Sequence, residues 1–138
     1  MEPDIRWMQR YDSFERAYLL LGKALQVEEP SVIERIGIIK AFEMTFELSW
    51  KLLKDYELTE GVDARSPREV LKQAYQLKLI TDGHGWLDIL KDRNLTAHTY
   101  KEEIARTIEQ SIRNRYYSLI GDLRRLFQEK KAELERAN

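Results

Sequence analysis

From Arg93 to Tyr100 the chain reads Arg-Asn-Leu-Thr-Ala-His-Thr-Tyr, and these residues gather the side chains best suited to chemistry. A guanidinium keeps its positive charge throughout the physiological range. An imidazole, with an unperturbed pKa of about 6.5, gives or takes a proton near neutrality. Together they suit a phosphodiester, with arginine meeting the charge and histidine moving the proton. His98 is one of only two histidines; the other, His84, stands between two glycines and reads as a surface residue. Cysteine is absent, so no thiolate nucleophile, disulfide framework or Cys-type zinc site is expected. With two histidines, a histidine-built metal site within one chain is not expected either. The reading therefore includes no metal and no cofactor.

The segments that must position these residues read as helices. The chain has 138 residues, 34% of them charged, which suits a single domain with a real hydrophobic core. Its formal net charge of −1 argues against a general nucleic-acid coat protein but leaves room for an enzyme touching a few phosphates. No apolar run approaches the roughly 18 residues of a membrane span, and no signal-peptide pattern opens the sequence. A cytoplasmic protein without a membrane association is expected.

Trp7, Tyr11, Phe14, Tyr18, Leu21 and Leu25 form one stripe at helical spacing, predicting a first helix over about 4–26. Glu29-Pro30 breaks it. Ser31-Val32-Ile33-Glu34 is a capping-box pattern that opens a helix reaching about Glu57. Its apolar arc, from Ile38 through Phe42, Phe46, Leu52 and Leu53 to Tyr56, is wide enough to need partners on two sides, so this is the central helix. The charged remainder (Lys40, Glu43, Glu47, Lys51, Lys54) reads as a solvated face with a Glu47–Lys51 pair, or alternatively as a site-lining strip. A loop with Gly61 leads to a second capping box, Ser66-Pro67-Arg68-Glu69, and a helix to about Lys78 with Val70, Leu71, Ala74, Leu77 and Tyr75 turned inward. Asp82 to Gly85 is a predicted turn before a short fourth helix. The last helix is predicted from about Lys101 to at least Gln128, with residues 129–138 fraying. The fold class is all-α, an antiparallel bundle of four to five helices in one domain.

On the wheel of the fourth helix Arg93 falls between Ile89 and Leu90 and in line with Trp86 and Ala97, on the apolar face. Burying a guanidinium without an anion is very costly. Either Arg93 meets a carboxylate inside the fold, or it edges a cleft and receives an anion, and the second is preferred. Asp88 and Asp92 point elsewhere. His98 follows Asn94 by four residues, so the two can meet if the helix persists. Thr99-Tyr100-Lys101-Glu102 is a further capping-box pattern, which would place His98 just outside a helix N-terminus, where free amides favour an anion. One chain supplies a single candidate acid/base histidine, whereas RNA cleavage by 2′-hydroxyl attack uses both a base and an acid. A symmetric dimer would bring two Arg93/His98 pairs together, making the site composite and the monomer inactive.

Arginine, four residues, histidine, one residue, tyrosine is also the pattern of HEPN domains of the HepT type, which Arg93, His98 and Tyr100 resemble. The resemblance extends over Arg6-Trp7-Met8-Gln9-Arg10, the segment from Phe42 to Lys51, Ser66 to Glu69, and Asp92 to Tyr100. It points to the branch called nucleotidyltransferase substrate-binding proteins. It implies a helical bundle that dimerises with its motifs facing one another in a cleft. It further implies a toxin of a two-component, type VII-like module that cleaves RNA without a metal. The implied partner is a small nucleotidyltransferase antitoxin that attaches AMP to the tyrosine. Carried onto this sequence, Arg93 stabilises phosphate charge, His98 acts as general acid/base, Asn94 supports the arginine, and Tyr100 is the modified residue. AMP on Tyr100 would add bulk and negative charge at the cleft mouth and repel RNA. The alternative is a non-catalytic helper subunit that presents a nucleotide or substrate to a nucleotidyltransferase.

Overall fold

A computed structural model describes residues 2–137 of the chain. The order is α1 (Pro3–Ala24), α2 (Val32–Thr59), α3 (Pro67–Gln76), α4 (Gly83–Leu95), a 3₁₀ turn (Thr96–His98), α5 (Glu102–Ser111), a π turn (Ile112–Tyr116) and α6 (Tyr117–Ala137). Every regular element among the described residues is helical, as expected.

Local chemistry explains most boundaries. Ser31 caps α2 in a complete capping box: its hydroxyl accepts from the Glu34 amide, and the Glu34 carboxylate accepts from the Ser31 amide. At Ser66 only half of the expected box forms. The Ser66 hydroxyl accepts from the Glu69 amide, while the Glu69 carboxylate accepts from the Arg65 amide instead. α2 and α3 both end in Schellman motifs, one through Gly61 (φ 77°) and the other through Lys78 (φ 61°). Only the first carries the expected glycine. The predicted turn at Asp82 is instead the start of α4, because the Asp82 side chain accepts from the Gly85 amide and caps the helix.

α2 is central, as its wide apolar arc required. Phe42, Phe46, Leu52 and Leu53 are wholly buried, and α1, α3, α4 and α5 all pack against it. α1 runs antiparallel to it, and the buried Thr45 hydroxyl donates to the carbonyls of Ala17 and Ala41. α6 closes on α1 through two parallel-stacked rings, Tyr18 and Tyr117, with centroids 4.8 Å apart. Each hydroxyl lies against a glycine of the facing helix: a Cβ on Gly22 would sit 2.5 Å from the Tyr117 oxygen, and one on Gly121 2.7 Å from that of Tyr18. Tyr75, expected inside, is exposed on the outer face of α3.

The last helix departs from expectation twice. Residues from 129 were expected to fray, yet the chain is helical to Ala137. Lys131 pairs with Asp12 at 2.7 Å, Lys130 lies over the Tyr56 ring, and Leu134 packs on the core. Asn138 lies outside the described residues. Second, the helix contains a π turn. Ile104, Ile108, Ile112, Tyr116 and Ile120 follow one another at intervals of four, and on a regular α-helix each such step overshoots a full turn by about 40°. The wider π turn removes the accumulated drift, so Ile108, Ile112, Tyr116 and Ile120 all remain buried.

A buried ionic cluster fastens the two halves. The Glu109 carboxylate accepts from Arg35 at 2.7 Å and from Arg113 at 2.8 Å. Arg113 also donates to the carbonyls of Leu25 and Val27, and Arg35 to that of Pro30, so the α1–α2 loop is pinned by side chains from α2 and the π turn. Burial alone would raise the Glu109 pKa, but the hydrogen bonds from Arg35 and Arg113 outweigh it and hold the carboxyl below its ordinary range.

Glu57 has no such help. It is wholly buried near the end of α2, and neither carboxylate oxygen has a protein hydrogen-bond partner. Burial, reinforced by the neighbouring Glu69 charge and only partly offset by Lys54, pushes its pKa up to about 8. The folded chain thus holds a proton that the unfolded chain has lost above pH 4.5. Stability contributed by this proton is full below that pH and is lost as pH rises to about 8. Glu57→Gln is expected to flatten the fall in melting temperature over this window and to exceed the wild type above pH 8, read by thermal unfolding. Parallel wild-type and variant profiles would contradict the assignment.

Candidate functional site

α4 sorts its side chains by chemistry around its circumference. Trp86, Ile89 and Leu90 are buried against the core. Asp88 and Asp92 turn toward the π turn, where Arg115 donates to Asp88 at 2.8 Å and the Tyr116 hydroxyl donates to Asp92 at 2.5 Å. Burial, helped by that hydrogen bond, holds the Tyr116 phenol protonated well beyond its ordinary range. Both aspartates are therefore engaged away from Arg93, as the helical wheel predicted.

Arg93 reaches the other way, to α2. Its Nε donates to Glu47 Oε1 at 2.8 Å, and its Nη2 lies 2.7 Å from the same oxygen. The second carboxylate oxygen accepts from the Trp50 indole at 3.1 Å. This corrects two expectations. Glu47 is not paired with Lys51 among the described residues, because Arg93 and Trp50 take both of its oxygens. Arg93 is not waiting unpaired for an anion, since Glu47 supplies one across 46 positions of sequence. Yet the arginine is not sealed in. Its side chain is 37% exposed, and among the described residues its Nη1 has no protein partner. One edge is clamped while the other faces solvent.

The segment after Leu95 leaves the α-helical path. The Thr96 hydroxyl donates to the Arg93 carbonyl at 2.7 Å, and the Thr99 hydroxyl donates to the Thr96 carbonyl at 3.0 Å. These bonds stabilise the tight 3₁₀ turn and use the hydroxyl that was expected to cap the last helix. α5 starts at Glu102 with Lys101 as its cap residue and no side-chain cap. The acidic first turn, Glu102 and Glu103, complements the helix dipole. His98 ends the 3₁₀ turn, exposed to solvent, with its ring edge-on to Tyr100 at a centroid distance of 6.2 Å. Tyr100 is 75% exposed. Asn94 is exposed too and makes no hydrogen bond to His98 among the described residues, because the helix ends between them.

The motif thus displays a clamped cation, an imidazole and a phenol on one short, solvent-facing stretch. His84 is exposed in the first turn of α4, apart from this group in sequence. Among the described residues no three His, Asp or Glu side chains come together as metal ligands, and no helix is long and apolar enough to cross a membrane. Glu47 is the residue that sequence reading placed only as a minority site-lining candidate.

Comparison with known proteins places this arrangement. Residues 9–129 match the family model described as nucleotidyltransferase substrate binding protein like. A Haemophilus influenzae protein described as a probable ribonuclease HepT is 32% identical over 92 residues, an alignment covering 61% of this chain and 63% of that one. The chain thus matches less than two thirds of the length of this relative. A solved structure from Thermus thermophilus has a TM-score of 0.75 and 35% identity, covering 80% of this chain and 94% of its own. Another, from Haemophilus influenzae, is described as revealing the fold of a substrate binding domain of a nucleotidyltransferase. It has a TM-score of 0.74 and 25% identity, covering 86% of this chain and 98% of its own. These likenesses agree with the HEPN-like resemblance of the sequence. The chain belongs to the nucleotidyltransferase substrate binding protein like family, whose match takes in, in whole or in part, the six α-helices among the described residues.

Proposed function

We propose that this chain is a metal-independent endoribonuclease of the HEPN type, the toxin of a two-gene module whose partner is a small nucleotidyltransferase. The observation that carries this reading is the half-clamped Arg93. Glu47 fixes the Nε edge of a fork whose other edge is free, five residues before an exposed His98. A guanidinium held in this way is preorganised for a phosphate oxygen, and preorganised charge stabilises a transition state without reorganising during the reaction.

In this mechanism His98 removes the 2′-hydroxyl proton, the 2′-oxygen attacks the adjacent phosphorus, and the 5′-oxygen leaves with a proton. Arg93 holds the charge that builds on the non-bridging oxygens. One histidine cannot act as base and acid in the same step, so a homodimer pairs His98 with the partner's His98 across a shared cleft. Asn94 lies beside Arg93 and contacts the substrate backbone. Tyr100, largely exposed beside His98, is the acceptor for AMP from the nucleotidyltransferase, and the added phosphate repels RNA from the cleft.

A second reading has its own support. The Haemophilus influenzae structural relative is described as a nucleotidyltransferase substrate binding domain, and Glu47 already neutralises part of the Arg93 charge. On that reading the chain is a non-catalytic helper that presents a nucleotide or substrate.

Expression of wild type and His98→Ala without a partner separates the two. The nuclease reading expects arrested growth and fragmented RNA with wild type only. Intact RNA with soluble wild-type protein would favour the helper. Glu47→Gln is expected to lower kcat/KM for RNA by roughly 10- to 100-fold through misplacement of the guanidinium. Because the Glu47–Arg93 pair is part-exposed, its loss should change unfolding stability by only about 1 kcal/mol or less. Unchanged turnover in this variant would remove Glu47 from the site.

A further inference from the structure

Between α3 and α4 lies an open groove of 580 Å³ whose lining includes Ser66, Arg68, Lys91, Asn94 and Leu95. No carboxylate lines it. Arg10, Arg35, Arg93, Arg113, Arg115 and Arg124 all reach carboxylates, whereas the Arg68 guanidinium, like those of Arg6 and Arg136, has no ion-pair or hydrogen-bond partner among the described residues, and of these three it is Arg68 that lines the groove. Lys91, in the same lining, also has no ion pair among the described residues. Arg68 is exposed at the start of α3. It occupies the second position of α3, where a positive charge opposes the helix dipole. Glu69, the carboxylate of the same turn, is committed to the Arg65 amide.

The groove is in line with the motif. Lys91, Asn94 and Leu95 stand at i, i+3 and i+4 on one face of α4, and His98 follows at the end of the 3₁₀ turn that continues the helix. Four α-helical and three 3₁₀ steps separate Lys91 from His98 by about 12 Å along the axis. Asn94 borders both the groove and Arg93. Arg68 and Lys91 at the groove and Arg93 at the motif are separate cations, which suits successive phosphates of a strand rather than the single cluster of a free nucleotide. Leu95, 37% exposed at the groove edge, offers an apolar surface for a sugar or base between them.

We propose that this groove binds a backbone phosphate of single-stranded RNA, flanking the phosphate held at Arg93 and His98, with Arg68 and Lys91 as its phosphate-binding residues. The proposal deepens the RNA reading above and rests on it. It also explains how a chain of net charge −1 engages a polyanion: the positive charge is local and free of carboxylates, not spread over the surface.

The test is anisotropy binding of a fluorescent 2′-O-methyl oligonucleotide, which lacks the attacking hydroxyl and stays intact, over a range of salt concentrations. Wild type, Arg68→Ala, Lys91→Ala and the double variant are compared, with melting curves to establish that all are folded. Each single change is expected to weaken binding several-fold and to reduce the slope of log affinity against log salt by roughly 0.7, the double variant by about twice that. Wild-type affinity and slope in the folded double variant, or no binding of the strand by wild type, would overturn the proposal. Cleavage of unmodified RNA by wild type is scored in parallel. Cleavage with unchanged binding in the double variant removes the groove and leaves the nuclease reading. Binding lost in the variants without any wild-type cleavage does the reverse.

Discussion

A guanidinium does not surrender its proton inside a protein, and that constraint governs how α2 meets the second half of the chain. Arg35 stands near the start of α2 and Arg93 reaches α2 further along from α4, and each must find an anion where it lands. Arg35 is buried and takes Glu109, which also holds Arg113; the two arginines then satisfy three carbonyls of the α1–α2 loop. Arg93 is half-exposed and takes Glu47. The same chemical rule yields a structural lock in one place and, in the other, a cation restrained but reachable. The difference lies in depth. Removing a partner from the buried pair would strand a charge in the core, a loss typically of about 3–5 kcal/mol. The exposed pair stays exchangeable with solvent and with a competing anion.

The site inherits its order from α4, a helix of 13 residues that keeps four chemistries apart on its circumference. Its apolar residues bind it to the core, its aspartates face Arg115 and Tyr116, Arg93 faces Glu47, and Lys91 with Asn94 faces the groove. Because three of those directions are anchored to different elements, the helix cannot roll without breaking ion pairs or burying charge. The motif residues therefore stand on a support fixed in rotation as well as in depth, which a site needs if a phosphate is to meet the same guanidinium edge each time.

Much of this was legible in the sequence because it is local. The Ser31 capping box, the Gly61 terminus, the aromatic stripe of α1 and the breadth of the α2 apolar arc all follow from neighbours within a few turns. Arg93 was recognised as anomalous on its wheel for the same reason. What stayed hidden was long-range. Nothing local joins Glu47 to Arg93 or Arg35 to Glu109, which lie 46 and 74 positions apart. The carboxylate that solved the Arg93 anomaly was read instead as half of an i,i+4 pair with Lys51. Thr99 misled because its hydroxyl had two uses, capping α5 or closing the 3₁₀ turn, and the tighter turn won. Lys78 occupies a left-handed position that normally advertises itself with glycine.

The π turn at Ile112–Tyr116 gives the last helix a property that its residue identities alone do not express. Upstream, the helix presents Glu109 to Arg35; downstream, it presents Tyr117 to Tyr18 and Phe127 to Trp7. The wide turn sets the phase between these two surfaces, so chain length in this segment acts as an angular coordinate. Losing one residue there would leave each half helical and amphipathic while turning one against the other by about 100°. The fold therefore encodes the mutual orientation of the ionic lock and the aromatic seam in a count of residues, a kind of information that survives substitution and is vulnerable to insertion or deletion.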